Sequence, residues 1–185
     1  MSKPESGHFK GTMGQRKSHK NIFNTPDKHD IIVPEGIDTR EHPTKYKQMS
    51  SKKQKELRAK KEARTITKEE YKRLEWQRRL NIRRKAGIDD FWEREQALIA
   101  LNLPTTRNWS AEQRADILKG KRPKFKGVTI QSHHKYSVAR YPHLANNGKL
   151  IYPATYSEHY NRWHGKNYKN SRPGKPVNPQ YKEEF

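Results

Sequence analysis

Val128-Thr129-Ile130-Gln131-Ser132-His133-His134 is the stretch on which the fold turns. Its β-branched residues predict a short strand over 128–131 that runs into the histidine pair. A loop follows from Lys135 to Gly148, with Pro142 and the turn signal Asn147-Gly148. Leu150-Ile151-Tyr152 is a second strand halted by Pro153, and Ser157 caps a helix from Glu158 to His164 that Gly165 closes. The order is strand, loop, strand, helix.

Upstream, the pattern turns helical. Residues 50–61 are almost wholly charged and polar, which suits a solvated helix. Thr67 with Glu70 forms a capping-box pattern ahead of Tyr71, Leu74 and Ile82, with Trp76 and Leu80 alongside. Gly87, after Arg83-Arg84-Lys85, reads as a C-cap. Asp89-Asp90 then open a second helix carrying Phe91, Trp92, Leu98 and Ile99, which Pro104 terminates. Ser110 and Gln113 start a third, with Ala111, Ala115 and Leu118, ending at Gly120. The tryptophans read as core residues rather than base-stacking platforms. The final twenty residues read as a loosely attached tail.

The chain has 185 residues, 41 Lys+Arg against 20 Asp+Glu, a net charge of +21 and only 30% hydrophobic residues. Globular domains are roughly 45–50% apolar, so one small domain plus a poorly ordered cationic region is expected. Three regions follow: a basic, mostly disordered arm over 1–50, a helical support region over 51–122, and a domain with its tail over 123–185. The single apolar run of the arm is Ile31-Ile32-Val33, before Pro34. The charge attracts polyanions and argues against an acidic small-molecule enzyme. With no cysteine, disulfide scaffolds, thiolate zinc sites and cysteine nucleophiles are excluded. The first twenty residues lack an apolar stretch, so no secretory signal peptide is expected, and no membrane span.

Of nine histidines, His133, His134, His159 and His164 concentrate in the strand–loop–strand–helix unit. Neutral imidazole binds divalent metals. Adjacent residues at a strand end project in different directions, so one ring of the pair can ligate while the other faces substrate. Phosphodiester hydrolysis needs that division: a metal on the phosphate and a base for the attacking water. His143 reads as a loop histidine, and His8, His19, His29 and His42 have no partner at useful spacing.

Residues 128–170 resemble the nuclease domains of the HNH/endonuclease VII superfamily, and more narrowly the GHH subgroup found as warheads of bacterial polymorphic toxins. The likeness rests on the opening heptapeptide, Tyr141-Pro142-His143-Leu144, Ile151-Tyr152-Pro153, Glu158-His159 and Trp163-His164-Gly165-Lys166-Asn167. Trp109-Ser110-Ala111-Glu112-Gln113 through Gly120-Lys121-Arg122-Pro123 resembles the lead-in of such warheads. The resemblance implies an α+β fold with a small ββα-metal (His-Me finger) core behind a few helices. It implies His133, His159 and His164 as metal ligands, His134 as general base, and Asn147 as the residue holding the base's loop. Arg140 and Arg162, which the resemblance does not fix, could clamp phosphate, and Lys135 and Lys166 join Arg140 as candidate nucleic-acid contacts. Ser132 stands where the subgroup has Gly. His159 and His164 are five positions apart, whereas ligands on one α-helical face prefer four. Either the helix ends before His164 or only one of the two binds metal.

The expected function is a metal-dependent endonuclease using one divalent ion (Mg, Mn, Zn or Ni). The resemblance implies DNA rather than RNA, delivery on a larger carrier into the cytoplasm of a target cell, and an immunity protein, here acidic. The alternative is a non-enzymatic basic nucleic-acid-binding protein with structural histidines. A membrane-active protein fits poorly, because no segment joins a basic face to a wide apolar one.

Overall fold

Ser50 and Thr67 start two helices that pack on each other. In the computed structural model, which describes residues 36–42 and 44–185, α1 spans Ser51–Glu62 and α2 spans Lys68–Ala100. The hydroxyl of Ser50 accepts the Lys53 amide, and Thr67 and Glu70 form the expected capping box. The polar helix α1 buries Leu57 against Met49 and Leu74, and its Lys60 pairs with Glu70 of α2 at 2.7 Å. Ile31-Ile32-Val33, His8, His19 and His29 lie outside the described residues.

The largest departure from expectation is at Gly87. It is not a C-cap: α2 continues through it and through Asp89-Asp90, so the two expected helices are one of 33 residues. A glycine inside a helix costs about 1 kcal/mol relative to alanine, and here packing explains it. A Cβ at Gly87 would press into the Ala145 carbonyl and the Asn146 backbone. Asp90, rather than opening a helix, accepts the Gly148 amide at 2.8 Å. The buried residues of α2 include Leu74, Leu80, Phe91, Trp92 and Ile99, whereas Tyr71 and Ile82 are exposed. Helix α3, Ala111–Leu118, has the expected Ser110–Gln113 box, but it buries Gln113 and Ile117 and leaves Leu118 exposed.

The strand read over 128–131 is broken at Ile130, and its second part extends through the histidine pair. β1 (Lys124–Phe125) pairs antiparallel with β2 (Val128–Thr129), and β3 (Gln131–His134) pairs antiparallel with β4 (Ile151–Ala154). Buried Ile130 divides them, its amide donating to the Pro123 carbonyl. β4 runs through Pro153, opposite Ser132, which a two-stranded ladder tolerates because an edge strand can lack a donor. Ile130 and Ile151 join Phe91, Trp92, Ile99, Trp109 and Ile117 in one core, which seats the hairpin on α2 and α3. The chain is thus a mixed α+β structure.

The turn after β4 is not an ordinary α-helix. Residues Glu158–Trp163 form a π-helical turn, and its cap is Thr155 rather than Ser157. The Thr155 hydroxyl accepts the Glu158 amide at 3.1 Å, and Glu158 accepts the Thr155 amide at 2.9 Å. Glu158 is also paired with Arg107, with both side chains inaccessible to solvent.

The C-terminal segment is fastened rather than loose. The Phe185 ring stacks on Phe125 and packs against Trp109, and its carbonyl accepts from Arg107 at 2.7 Å. Tyr152 bonds Glu183, and Thr155 bonds Glu184. Residues 36–50, expected within the arm, also make contacts: Ile37 packs on the Tyr136, Tyr141, Leu144 and Leu150 cluster, and Met49 beneath α1.

Candidate active site

The pleat of β3 sends His133 and His134 to opposite sides. His133 is buried, its ring 4.5 Å from that of Trp163, 4.9 Å from His159 and 5.1 Å from His164. One ring nitrogen from each of the three histidines lies within 4.8 Å of the others. The π-turn makes this possible. Its i→i+5 hydrogen bonds, among them His164 amide to His159 carbonyl at 3.2 Å, stack residues five apart. The spacing that would divide these side chains on an α-helix therefore brings both to one point.

Their proton positions follow from their partners. His159 Nδ1 faces the Gln131 side-chain oxygen, and His164 Nδ1 lies 2.6 Å from the Asn170 carbonyl. Both partners are acceptors, so each Nδ1 carries the proton and each Nε2 presents a lone pair. The two Nε2 atoms are 3.3 Å apart. Two lone pairs do not bond each other, but a cation between them satisfies both. A tetrahedral ion with metal–nitrogen bonds of about 2.0–2.1 Å has ligand edges of roughly 3.3 Å. Metal-bound histidines commonly donate their other N–H to an oxygen in this way. The residues present therefore fit a divalent ion. Burial, then the neighbouring His159 and His164, holds His133 well below the usual imidazole range, and burial followed by His164 brings His159 to about 4. The His133 and His159 rings are therefore neutral at pH 7, as ligands must be.

His134 turns toward the loop. Its Nε2 lies 3.1 Å from the Ala145 carbonyl, to which it must donate, so Nδ1 is left as the free acceptor. Burial lowers its pKa to about 4; the Ala145 bond opposes that and Arg84 adds to it. A cleft of about 250 Å³ is lined by His133, His134, His159, His164, Arg84 and Lys169. Ser132, at the glycine position of the subgroup, accepts from Trp92 Nε1 at 2.9 Å and Arg122 at 3.1 Å, tying β3 to α2.

The other sequence candidates lie elsewhere. Asn147 Oδ1 accepts the Lys149 amide at 3.0 Å and caps the turn into β4, so it shapes the loop while the Ala145 carbonyl holds the ring. Arg162 is buried and donates to the Pro179 and Tyr181 carbonyls, which turns it from phosphate toward the C-terminal segment. Arg140 pairs with Glu41 and bonds Ser171, and Lys166 is exposed beyond the turn. Lys135 is drawn down to about 8 by burial and then by Arg94, and does not line the cleft. Gln131, Ala145 and Arg84 escaped the sequence reading. The first two act through a side chain or carbonyl with no motif, and Arg84 sits inside a run of cations. His42 does have partners: Asp38 at 3.1 Å and the His143 ring at 4.2 Å. That Asp38 carboxylate is already gripped by Arg40 at 2.8 and 2.9 Å, and His143 bonds the Asp38 carbonyl at 2.8 Å. His143 is thus a loop-fastening residue.

Residues 74–155 match the family model described as GHH signature containing HNH/Endo VII superfamily nuclease toxin. The match covers 82 of the 185 residues, less than half of the chain. It takes in most of α2, Arg84, the histidine pair and the whole β3–β4 hairpin, and ends before His159 and His164. No curated protein and no solved structure matches the chain. Among the described residues, no helix is long and apolar enough to cross a membrane.

Proposed function

We propose that the chain is a metal-dependent endonuclease with a ββα-metal core formed by β3, β4 and the π-turn. The observation that carries this is the 3.3 Å approach of the His159 and His164 Nε2 atoms, each ring with its Nδ1 against an oxygen, beside buried His133. His133, His159 and His164 would hold one divalent ion. Bound there, such an ion would neutralise phosphate charge and stabilise the leaving oxygen.

The chain's own residues would do the rest. His134, oriented by Ala145, would take the proton of the attacking water on Nδ1. An anionic phosphate in the cleft raises the pKa of a neighbouring imidazole, moving His134 from about 4 toward the working pH. Asn147, through the turn it caps, would keep the loop in register. The excess of 41 basic over 20 acidic residues would add sequence-independent affinity for backbone phosphates. DNA is the favoured substrate. The setting we infer is that of an antibacterial effector delivered to a target-cell cytoplasm, with an acidic immunity protein as its partner.

The test is plasmid nicking with Mg²⁺, Mn²⁺, Ni²⁺ or Zn²⁺, with and without chelator, beside His134→Ala. Metal-dependent nicking lost in the variant, with metal affinity retained, supports the reading. DNA binding without nicking under any metal overturns it in favour of a nucleic-acid-binding protein whose ion is structural.

A further inference from the structure

Three consecutive cations on α2, Arg83, Arg84 and Lys85, have different fates. Arg83 donates at 2.7 Å to both the His143 carbonyl and the Asn146 side chain, clamping the loop against the helix. Lys85 pairs with Asp89 one turn on. Arg84 makes no hydrogen bond or ion pair among the described residues, and its Nε is buried without a partner. Arg84 lines the cleft shared with His133, His134, His159 and His164.

An unpaired, half-buried guanidinium is costly, because burial removes water and nothing replaces it. Desolvation depresses even this strongly basic group. Its planar fork of donors matches a phosphate's oxygens better than an ammonium does. Lys169 adds a second cation to the same wall, and no carboxylate lines the cleft.

We propose that Arg84 is the residue that grips the scissile phosphate, a place that neither Arg140 nor Arg162 can fill. Arg140 is engaged with Glu41, and Arg162 faces the C-terminal segment. The proposal rests on the nuclease reading above. It gives the long helix a function beyond support: α2 delivers the phosphate-binding side chain at Arg84 and, one turn on, packs Gly87 against the loop that orients His134.

The experiment has two readouts on wild type, Arg84→Gln and Arg84→Lys, each with fold checked by circular dichroism. In single-turnover cleavage of a short duplex, Arg84→Gln should lose about 100-fold or more, the size of deleting one charge-stabilising donor. Arg84→Lys should recover only part of it. Metal affinity should be unchanged. Inorganic phosphate titrated into metal-loaded protein should shift the imidazole resonances of His134 in wild type and not in Arg84→Gln. Cleavage by Arg84→Gln within threefold of wild type, or an undiminished phosphate response, overturns the proposal. If wild type cleaves nothing, the nuclease reading fails, and the phosphate titration still decides whether Arg84 holds an anion.

Discussion

His134 and Ala145 are joined by a 3.1 Å hydrogen bond from ring Nε2 to backbone carbonyl. The same carbonyl occupies the space where a side chain at residue 87 would lie. The orientation of the proposed base is thus set from α2, across more than forty residues of sequence, by the absence of one methyl group.

Gly87→Ala tests that dependence. Helix propensity alone predicts a gain of about 1 kcal/mol. Overpacking against the Ala145 and Asn146 backbone costs about 1–3 kcal/mol, so the net expectation is lower stability in urea unfolding. Cleavage should fall with it. A more stable and fully active variant would show that the helix can move away without cost.

Gln131→Ala removes the oxygen that fixes the His159 Nδ1 proton. Losing such a partner lowers metal affinity by about 10- to 100-fold. Isothermal titration with Zn²⁺ or Ni²⁺ measures this directly. An unchanged affinity would mean that His159 does not ligate through Nε2.

Arg107 and Glu158 form a buried pair that joins the turn after β4 to the α2–α3 connection. Arg107→Ala strands a buried carboxylate, and the expected loss is about 3–5 kcal/mol. Burial alone would raise the Glu158 pKa, but bonds from Arg107 and from the Glu184 and Thr155 amides bring it below the ordinary 4.5. Its contribution to stability is therefore present above pH 4.5 and lost as pH falls through the lower folded value. Chemical denaturation from pH 7 down to pH 3 should show that loss in wild type, with a smaller slope in Glu158→Gln.

Arg162→Ala separates structure from substrate binding. Its guanidinium holds the Pro179 and Tyr181 carbonyls, so the melting temperature should fall. The salt dependence of DNA binding should not change, because a buried arginine releases no counterion from the duplex. A shallower salt slope would return Arg162 to the phosphate.

The sequence by itself determined the pieces whose signals are local. Capping boxes at Thr67 and Ser110 need only their own neighbours, and both formed as read. The order strand, loop, strand, helix and the histidines on it were legible because hydrophobic pattern and turn residues are local too. Other features were decided by contacts between distant residues, which no window of sequence displays. Gly87 carries the composition of a helix end, yet the helix continues because the Ala145 loop packs where a Cβ would be. The tail, polar enough to read as loose, is held because Phe185 reaches an aromatic pair and a buried arginine. The five-residue spacing of His159 and His164 argued against a shared ligand position under α-helical geometry. The π-turn cancels that objection, since its wider hydrogen-bonded ring puts residue i+5 over residue i, and the Thr155–Glu158 cap with the Arg107 pair anchors the turn in place.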